Sequence, residues 1–419
     1  MGLFATLFLV ALFVPLQFYI GPLYMEPYRL VLIVALFPSL ATFISNRRIR
    51  FCTADGLIIA HVLWASLAIF LVHGTSYIEK IGIYALEILS AYFLARTQIR
   101  TPRAFRQAFT ILLTGVAIML PIALFESLTN VGFFESILGR YTVGRVDYPP
   151  RLGLFRAQAA FDHPILYGVT CASLLAPMLY FWRHRRNVVT FFARVAIPMA
   201  ATALSMSSGA LAFLGIQFAG FAWDTVARVR HKWWLLLGLV SSAYVALDLL
   251  SSRTPYQVAI SLFSLNTGTA FNRLRIWTYA SDDLFRNPMF GIGFNEWTRP
   301  SWMLPSVDNF WLVTALRYGI PGFALLLLCL LFGIAYMARA RLRDRRLRQL
   351  RTGHIIMISG MSLAILTVHI WNQPLALYVF YVAAGLWLGT AGEAPRRRRR
   401  PLADDGSEAA PRDVPDPAP

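Results

Sequence analysis

The chain has 419 residues, of which 57% are hydrophobic and only 14% are charged, and its formal net charge at pH 7 is +18. A soluble domain usually carries about 25% charged residues, so this composition indicates a chain that uses lipid as its solvent. The positive charge does not indicate nucleic-acid binding, because the basic residues separate apolar runs along the whole chain. The cysteines, Cys52, Cys171 and Cys329, have spacings that predict neither a disulfide framework nor a metal site.

Apolar runs long enough to cross a bilayer recur along nearly the whole sequence. A hydrocarbon core about 30 Å thick needs about 20 mostly apolar residues per helix. The pattern predicts an all-α, polytopic helical bundle with about twelve transmembrane helices. The predicted spans are Gly2–Ile20, Tyr28–Ile44, Gly56–His73, Ile81–Ala95, Gln107–Thr129, His163–Trp182, Val188–Leu204, Ser208–Ala227, Trp233–Leu250, Asn309–Met337, His354–Ile370 and Pro374–Thr390.

The distribution of basic residues predicts the orientation of these spans. With the N-terminus inside, 26 of the 39 lysines and arginines fall in the inner segments, and far fewer fall outside. The positive-inside rule therefore places both termini in the cytoplasm. Residues 1–394 form the predicted membrane domain, and residues 395–419 a disordered cytoplasmic tail that is too polar to bury a core. The five arginines Arg396 to Arg400 suit an anchor at an anionic leaflet, with binding of a partner as the alternative.

Two of the predicted outer loops are long, Asn130–Asp162 and Ser251–Asp308. Loops beyond about 15 residues in a helix bundle are usually functional or disordered, and the varied composition of these two favours function. The second loop contains a predicted helix, Thr269–Arg286, that lies near the membrane surface and stops before Pro288. The residues expected on one face of this helix are Phe271, Leu274, Thr278, Ser281 and Phe285.

The charged residues of the predicted helix have a structural interpretation. Residues four positions apart are neighbours on a helix, so oppositely charged pairs and cation–aromatic pairs form readily at this spacing. Asp282, Asp283 and Arg286 are interpreted as structural. The expected pairs are Asp282 with Arg286, Arg273 with Trp277 and Arg275 with Tyr279.

The first outer loop carries more basic residues than the positive-inside rule leads one to expect. Guanidinium groups bind phosphate oxygens in pairs, so arginines of the two outer loops could together hold a lipid-linked diphosphate. The alternative is a solvated loop in which the arginines form local ion pairs. The charged residues of this loop are Arg140, Arg145, Arg151, Arg156, Glu135, Asp147 and Asp162.

Several short motifs follow one another in the middle half of the chain. They are Phe155-Arg156, Phe161-Asp162-His163-Pro164 with Gly168, Arg273 with Trp277, Asn287-Pro288, Gly291-Ile292-Gly293, Asp308-Asn309 and Tyr318-Gly319-Ile320-Pro321-Gly322. In this order they resemble the signature of the bacterial O-antigen ligase and polymerase superfamily. The number of predicted spans and the large late outer loop are also similar to that family.

The resemblance implies an integral membrane glycosyltransferase that uses a glycan on a polyprenyl diphosphate as donor and needs neither a metal nor a cofactor. It implies polymerisation of oligosaccharide repeat units for exopolysaccharide or O-antigen, at the outer face of the bacterial cytoplasmic membrane. Arg156 and Arg273 match the arginines that hold the diphosphate in the family, and Arg275 and Arg317 are further candidates. The implied partners are membrane lipid, a chain-length regulator and export machinery.

One position departs from the family pattern. Family members that act as ligases carry His directly before the Asn at the head of the late helix, where this chain has Asp308 followed by Asn309. A carboxylate can accept the proton of an acceptor hydroxyl, which makes Asp308 and Asn309 the candidate catalytic residues and favours a polymerase. Alternatively, these two residues only cap the next helix. A ligase and a polysaccharide transporter or flippase remain alternative functions.

Other ionisable residues fall inside predicted spans. Arg317 lies about two helical turns below Asp308, where it either extends the phosphate clamp or pairs with Glu126. His163, directly before Pro164, is interpreted as the residue that opens the next helix. The pattern assigns no role to Glu87, Arg194, Asp224 or Asp248.

Overall fold

A computed structural model of the chain describes residues 1–21, 23–181, 187–251, 254–255, 257–258 and 267–392. Nearly all regular structure in these residues is helical, and the sheet that they contain is a two-stranded hairpin. The predicted tail, residues 395–419, lies outside the described residues.

The helices follow one another with short connections, except around the two outer loops. The α-helices are α1 (Leu3–Ala11), α2 (Pro27–Ser45), α3 (Thr53–His73), α4 (Ile78–Gln98), α5 (Pro102–Thr129), α6 (Phe133–Leu138), α7 (Pro164–Ala172), α8 (Leu175–Phe181), α9 (Val188–Leu204), α10 (Ser208–Val226), α11 (Lys232–Leu250), α12 (Thr267–Arg286), α13 (Phe310–Arg339), α14 (Arg345–Ala364) and α15 (Asn372–Ala384), and the strands are β1 (Phe18–Ile20) and β2 (Leu23–Met25).

Seven helical segments of the described residues are long and apolar enough to cross a membrane. One of them, Thr53–Gln98, contains both α3 and α4, which are joined by a 3-10 turn. These segments establish a helical, membrane-embedded protein, whereas the count of about twelve spans stays a prediction. The segments are Pro27–Ser45, Thr53–Gln98, Pro102–Thr129, Pro164–Phe181, Ser208–Val226, Lys232–Leu250 and Phe310–Arg339.

The first predicted span, Gly2–Ile20, is wrong. Helix α1 ends at Ala11, and β1 then pairs with β2 in an antiparallel hairpin. Pro15 lacks the backbone N–H that a continuing helix needs, and Gly21 turns the chain with a φ of 60°. Hydropathy records only that this stretch is apolar, and it does not distinguish a membrane helix from a short helix followed by a hairpin.

The core of the bundle is built mainly from aromatic and aliphatic side chains of α4, α5, α7, α8 and α15. Helix α13 packs along α3, and α4 packs against both α2 and α15. Phe109 and Tyr381 stack with their ring centroids 5.5 Å apart near the centre. Helix α11 buries none of its residues and therefore presents its apolar side chains to lipid.

A kink in α13 binds the second outer loop to the bundle. Gly319 interrupts the helix with a φ of 72° and a ψ of 176°. The break removes intrahelical partners from two backbone groups, and the loop after α12 replaces them. The N–H of Ile320 donates to the carbonyl of Pro288 at 2.7 Å, and the N–H of Ile292 donates to the carbonyl of Leu316 at 2.6 Å. The motif around Asn287-Pro288 and the motif around Gly319 are thus one structural unit.

Two glycines make this close approach possible. A Cβ atom on Gly319 would overlap the carbonyl of Met289, and one on Gly291 would overlap the carbonyl of Leu316. Both glycines have a positive φ, which side chains of L residues rarely tolerate. Larger residues at either position would push the loop away from α13.

We expect Gly319→Ala to destabilise the protein. A positive φ combined with a ψ near 180° is open essentially only to glycine and costs another residue about 1–3 kcal/mol, and the overlap with Met289 adds to that cost. Thermal unfolding of purified protein in detergent, followed by tryptophan fluorescence, should therefore show a lower midpoint. Gly215→Ala is the matched control, because this helical glycine of α10 has open space around its Cβ position. Equal midpoints for the two variants would contradict the account of the kink.

Candidate functional site

The two outer loops and the ends of several helices enclose a cavity of about 750 Å³, the large cavity. Three of the four arginines predicted to bind a diphosphate lie in its wall, together with the candidate base. Aromatic and polar side chains complete the lining. The charged residues and histidines that line it are Arg151, Arg156, Arg273, Arg317, Glu296, Asp308, His163 and His369.

Arg151 and Arg156 are held by the turn between α9 and α10. The Arg151 Nη1 group donates to the carbonyl of Met206 at 2.9 Å, and the Arg156 Nε group donates to the carbonyl of Ser205 at 3.4 Å. The guanidinium of Arg156 also lies 4.7 Å from the centre of the Tyr148 ring. These neutral contacts orient both cations without neutralising their charge.

The electrostatics at Arg156 favour a bound anion. Burial, together with the positive charges of Arg151 and Arg273, lowers the pKa of Arg156 to about 10 against the opposing effects of Tyr148 and Asp308. A lowered arginine pKa means that the surroundings disfavour the charged form. An anion placed among these groups would reverse that effect.

Arg273 reaches the large cavity from α12. The predicted helix Thr269–Arg286 is confirmed as Thr267–Arg286, and none of the five residues predicted to share one face of it is buried. The buried positions are Arg273, Ile276, Ala280 and Asp283, whereas Phe271 is 63% and Phe285 72% exposed.

Arg275 lies on the exposed side of α12, outside the lining of the large cavity. Its guanidinium is 4.8 Å from the centre of the Trp302 ring, so the expected contact with Tyr279 is replaced. The expected ion pair of Asp282 with Arg286 is likewise replaced by a contact of 4.0 Å between Asp283 and Arg286.

Asp283 is structural, as expected. Its carboxylate is buried and accepts hydrogen bonds from the backbone N–H of Thr298 at 2.5 Å and from the Thr298 hydroxyl at 3.0 Å. These bonds fix the segment that carries Trp297 and Asn295 into the cavity wall.

Asp308 and Asn309 have separate roles. Asn309 is the N-cap of α13, and its side-chain oxygen accepts a hydrogen bond from the N–H of Leu312 at 3.1 Å. Asp308 points its carboxylate to the large cavity instead. Burial raises the pKa of Asp308, while the charges of Arg273 and Arg156 oppose the rise. The capping interpretation therefore applies to Asn309, and the carboxylate beside the arginines is available to accept a proton.

Arg317 lines the large cavity from α13, with its guanidinium 4.9 Å from the centre of the Phe294 ring. The suggested pairing with Glu126 is wrong. Glu126 is 3.5 Å from the Arg145 guanidinium and accepts hydrogen bonds from the N–H groups of Gln158 and Ala159 at 3.0 and 2.9 Å. Of the two interpretations of the first loop, local ion pairing describes Arg145, whereas Arg151 and Arg156 face the cavity.

His163 opens α7, as expected, because its Nδ1 atom accepts a hydrogen bond from the N–H of Ile165 at 3.0 Å. Its Nε2 atom is 2.8 Å from the Tyr148 hydroxyl. Burial lowers the pKa of His163 to about 4, and the charge of Arg156 acts in the same direction. The imidazole is therefore neutral at physiological pH and supports Tyr148 under the Arg156 guanidinium.

The sequence did not predict a buried polar network that lies behind the large cavity. Asn372 donates to the carboxylates of Asp162 and Glu26, the latter at 3.2 Å, and accepts from Arg29 at 2.9 Å. Arg29 in turn forms an ion pair of 2.7 Å with Glu87, which gives that residue a role. The chain neighbours of Asn372 and Asp162 are the cavity residues Trp371 and His163. The hydrogen-bond partners in this network are far apart in sequence, so no local sequence pattern indicates that they interact.

The other unassigned acidic residue with a described partner is Asp224, which forms an ion pair of 2.7 Å with Lys232. Among the described residues, no group of three or more His, Cys, Asp and Glu side chains is arranged to hold a metal ion. The chain matches no protein-family model, and no curated protein matches it. The large cavity is therefore the basis for a proposal of its chemistry.

We expect inorganic diphosphate to bind in the large cavity and to raise the thermal unfolding midpoint of the purified protein. Loss of one charge-assisted contact costs about 1.5–3 kcal/mol, roughly ten- to hundredfold in affinity. Arg156→Gln and Arg273→Gln should each remove most of the stabilisation by diphosphate. Arg275→Gln, on the exposed side of the same helix as Arg273, should keep it. Equal responses of all three variants would place the anion elsewhere.

Proposed function

We propose that this protein is a membrane glycosyltransferase that polymerises polyprenyl-diphosphate-linked oligosaccharide repeat units for exopolysaccharide or O-antigen, at the outer face of the bacterial cytoplasmic membrane. The observation that carries the proposal is the large cavity, which Arg151, Arg156, Arg273 and Arg317 line together with Asp308. A cationic cleft next to a proton acceptor is what transfer from a diphosphate-linked donor requires.

The arginines act on the leaving group. When the bond between the sugar C1 and the diphosphate oxygen breaks, the electron pair stays on the diphosphate and its negative charge grows. Cations that are already in position stabilise that charge most strongly when water is excluded. Arg156 and Arg273, both buried, hold the diphosphate, and Arg317 extends the clamp.

Asp308 acts on the acceptor. The hydroxyl oxygen of the acceptor sugar forms the new bond to C1, and its proton passes to the Asp308 carboxylate. Arg273 and Arg156 oppose the effect of burial on the pKa of this carboxylate, and in its ionised form the carboxylate can accept the proton. In this proposal, Arg156 and Arg273 act on the donor and Asp308 acts on the acceptor within one cavity.

The rest of the lining suits a glycan. Trp297, Phe294, Trp371 and Tyr148 offer ring faces, and Asn295 and Asn272 offer amide groups to sugar hydroxyls. Aromatic and amide side chains of this kind give a cavity apolar surface together with a few orienting polar groups. The large cavity accommodates the first sugars of a donor beside its diphosphate.

We expect Asp308→Asn to abolish most polymer and to cause lipid-linked single repeat units to accumulate. The substitution keeps the shape of the side chain but removes the proton acceptor, which typically lowers the rate by about 10²- to 10⁴-fold. Protein abundance should not change, because Asn309 caps α13. Asp282→Asn, at an exposed position of α12, is the matched control. Lipid-linked saccharides are extracted from cells and separated by size.

Each alternative function predicts a different product. Long lipid-linked chains in the Asp308→Asn strain would favour a ligase, and repeat units confined to the inner leaflet would favour a flippase. Normal polymer would remove Asp308 from the mechanism.

Because arginines supply the positive charge in the proposed reaction, polymer formation in isolated membranes should continue in the presence of a divalent-cation chelator.

A further inference from the structure

A second cavity, the Trp387 pocket, lies at the opposite end of the bundle from the large cavity. It has a volume of about 370 Å³ and is bounded by the α2–α3 loop, the α4–α5 link and the turn after α15. Phe294 of the large cavity contacts His73 at the end of α3, whereas the Trp387 pocket adjoins Asp55 at the start of α3. The two cavities are thus separated by most of the length of α3, about 30 Å.

The Trp387 pocket is strongly basic. The described residues that line it include Arg48, Arg50, Arg96 and Arg100, and none of them is acidic. Arg96 is anchored to the wall, since its Nε and Nη2 atoms are each 2.7 Å from an oxygen of the fully buried Asp55. Three further guanidinium groups therefore face one small volume.

Arg100 shows the effect of this crowding. Its Nη2 atom donates to the carbonyl of Arg48 at 2.6 Å, which holds the guanidinium at the rim of the pocket. Burial lowers the pKa of Arg100, and the charges of Arg96 and Arg48 lower it further. An anion in the pocket would relieve this repulsion.

Trp387 provides an independent sign of a ligand. Its side chain lines the pocket and is only 8% exposed, and its indole N–H has no hydrogen-bond partner among the described residues. An indole N–H can only donate, and leaving such a donor buried without an acceptor costs free energy. A ligand that brings an oxygen acceptor into the pocket would satisfy it.

An apolar groove adjoins the pocket. The groove has a volume of about 660 Å³ and is lined by Phe51, Gly56 and Leu57 among others. Tyr336 lines both the groove and the Trp387 pocket, so the two lie next to each other at this residue of α13. A basic pocket with an apolar extension on the lipid-facing side matches a headgroup followed by an acyl chain.

We propose that the Trp387 pocket is a binding site for an anionic phospholipid. The headgroup phosphate lies between Arg48 and Arg100 and accepts a hydrogen bond from the Trp387 indole, while an acyl chain follows the groove past Tyr336. A free phosphate ion shares the first part of this chemistry but cannot use the groove. None of these residues lines the large cavity, so the proposed lipid site does not depend on the proposed glycosyl transfer.

The test uses the full-length protein in nanodiscs that contain equal amounts of phosphatidylglycerol and phosphatidylcholine. Native mass spectrometry after release counts the lipids that each protein retains. We expect the wild-type protein to retain phosphatidylglycerol about tenfold over phosphatidylcholine, because the choline cation of phosphatidylcholine offsets its phosphate charge beside the arginines, and a charge-assisted contact is worth roughly that factor. Arg100→Gln, Arg48→Gln and Trp387→Phe should each reduce retention several-fold. Arg47→Gln, at an exposed position outside the lining, is the control.

Three results would overturn the proposal. They are equal retention of the two lipids, unchanged retention in Arg48→Gln and Trp387→Phe, and loss of retention in the Arg47→Gln control. Millimolar inorganic phosphate should not displace phosphatidylglycerol from the wild-type protein. Full displacement would show that the pocket binds a small anion and not a lipid.

Discussion

Charged groups buried in a membrane protein must find their partners within the protein, because lipid offers none. Two of the four buried arginines in the described part of the chain form ion pairs directly, Arg29 with Glu87 and Arg96 with Asp55, and the half-buried Arg145 pairs with Glu126. The large cavity is different, since its four arginines outnumber its two carboxylates, and one of these, Glu296, forms an ion pair with Arg299. In the proposed function, the diphosphate of the donor neutralises this excess of positive charge.

The position of that excess depends on the kink in α13. Gly319 breaks the helix, and the loop after α12 supplies the missing backbone partners. This exchange ties α12, which carries Arg273, to α13, which carries Arg317 and begins just after Asp308. Arg156 joins them through the turn between α9 and α10. Segments far apart in sequence thus meet at one wall of the large cavity. The close contact between the loop after α12 and α13 requires Gly291 and Gly319, which explains why the motifs that contain these glycines occur together.

Hydropathy was sufficient to predict a helical membrane protein, because the free energy of burying a helix in lipid depends mainly on its composition. It failed at Gly2–Ile20, where a proline and a turn end the helix early. Local periodicity predicted the existence of α12 and a shared face from Phe271 to Phe285, but it did not predict which side of the helix is buried, because in lipid the apolar side of a helix can point outward. Arg156, Arg273, Arg317 and Asp308 were predicted together and do line one cavity. The Ser205 and Met206 carbonyls and the Asn372 network were missed, because they act through contacts between distant segments.

In the proposed function, the large cavity binds the diphosphate of a polyprenyl-linked glycan. A cryo-electron microscopy structure of the full-length protein with a polyprenyl diphosphate saccharide tests it most directly. The account predicts that the diphosphate lies against Arg156 and Arg273, with the first sugar beside Asp308 and the polyprenyl chain leaving towards lipid. A diphosphate bound in the middle of the bundle, or away from these arginines, would contradict it.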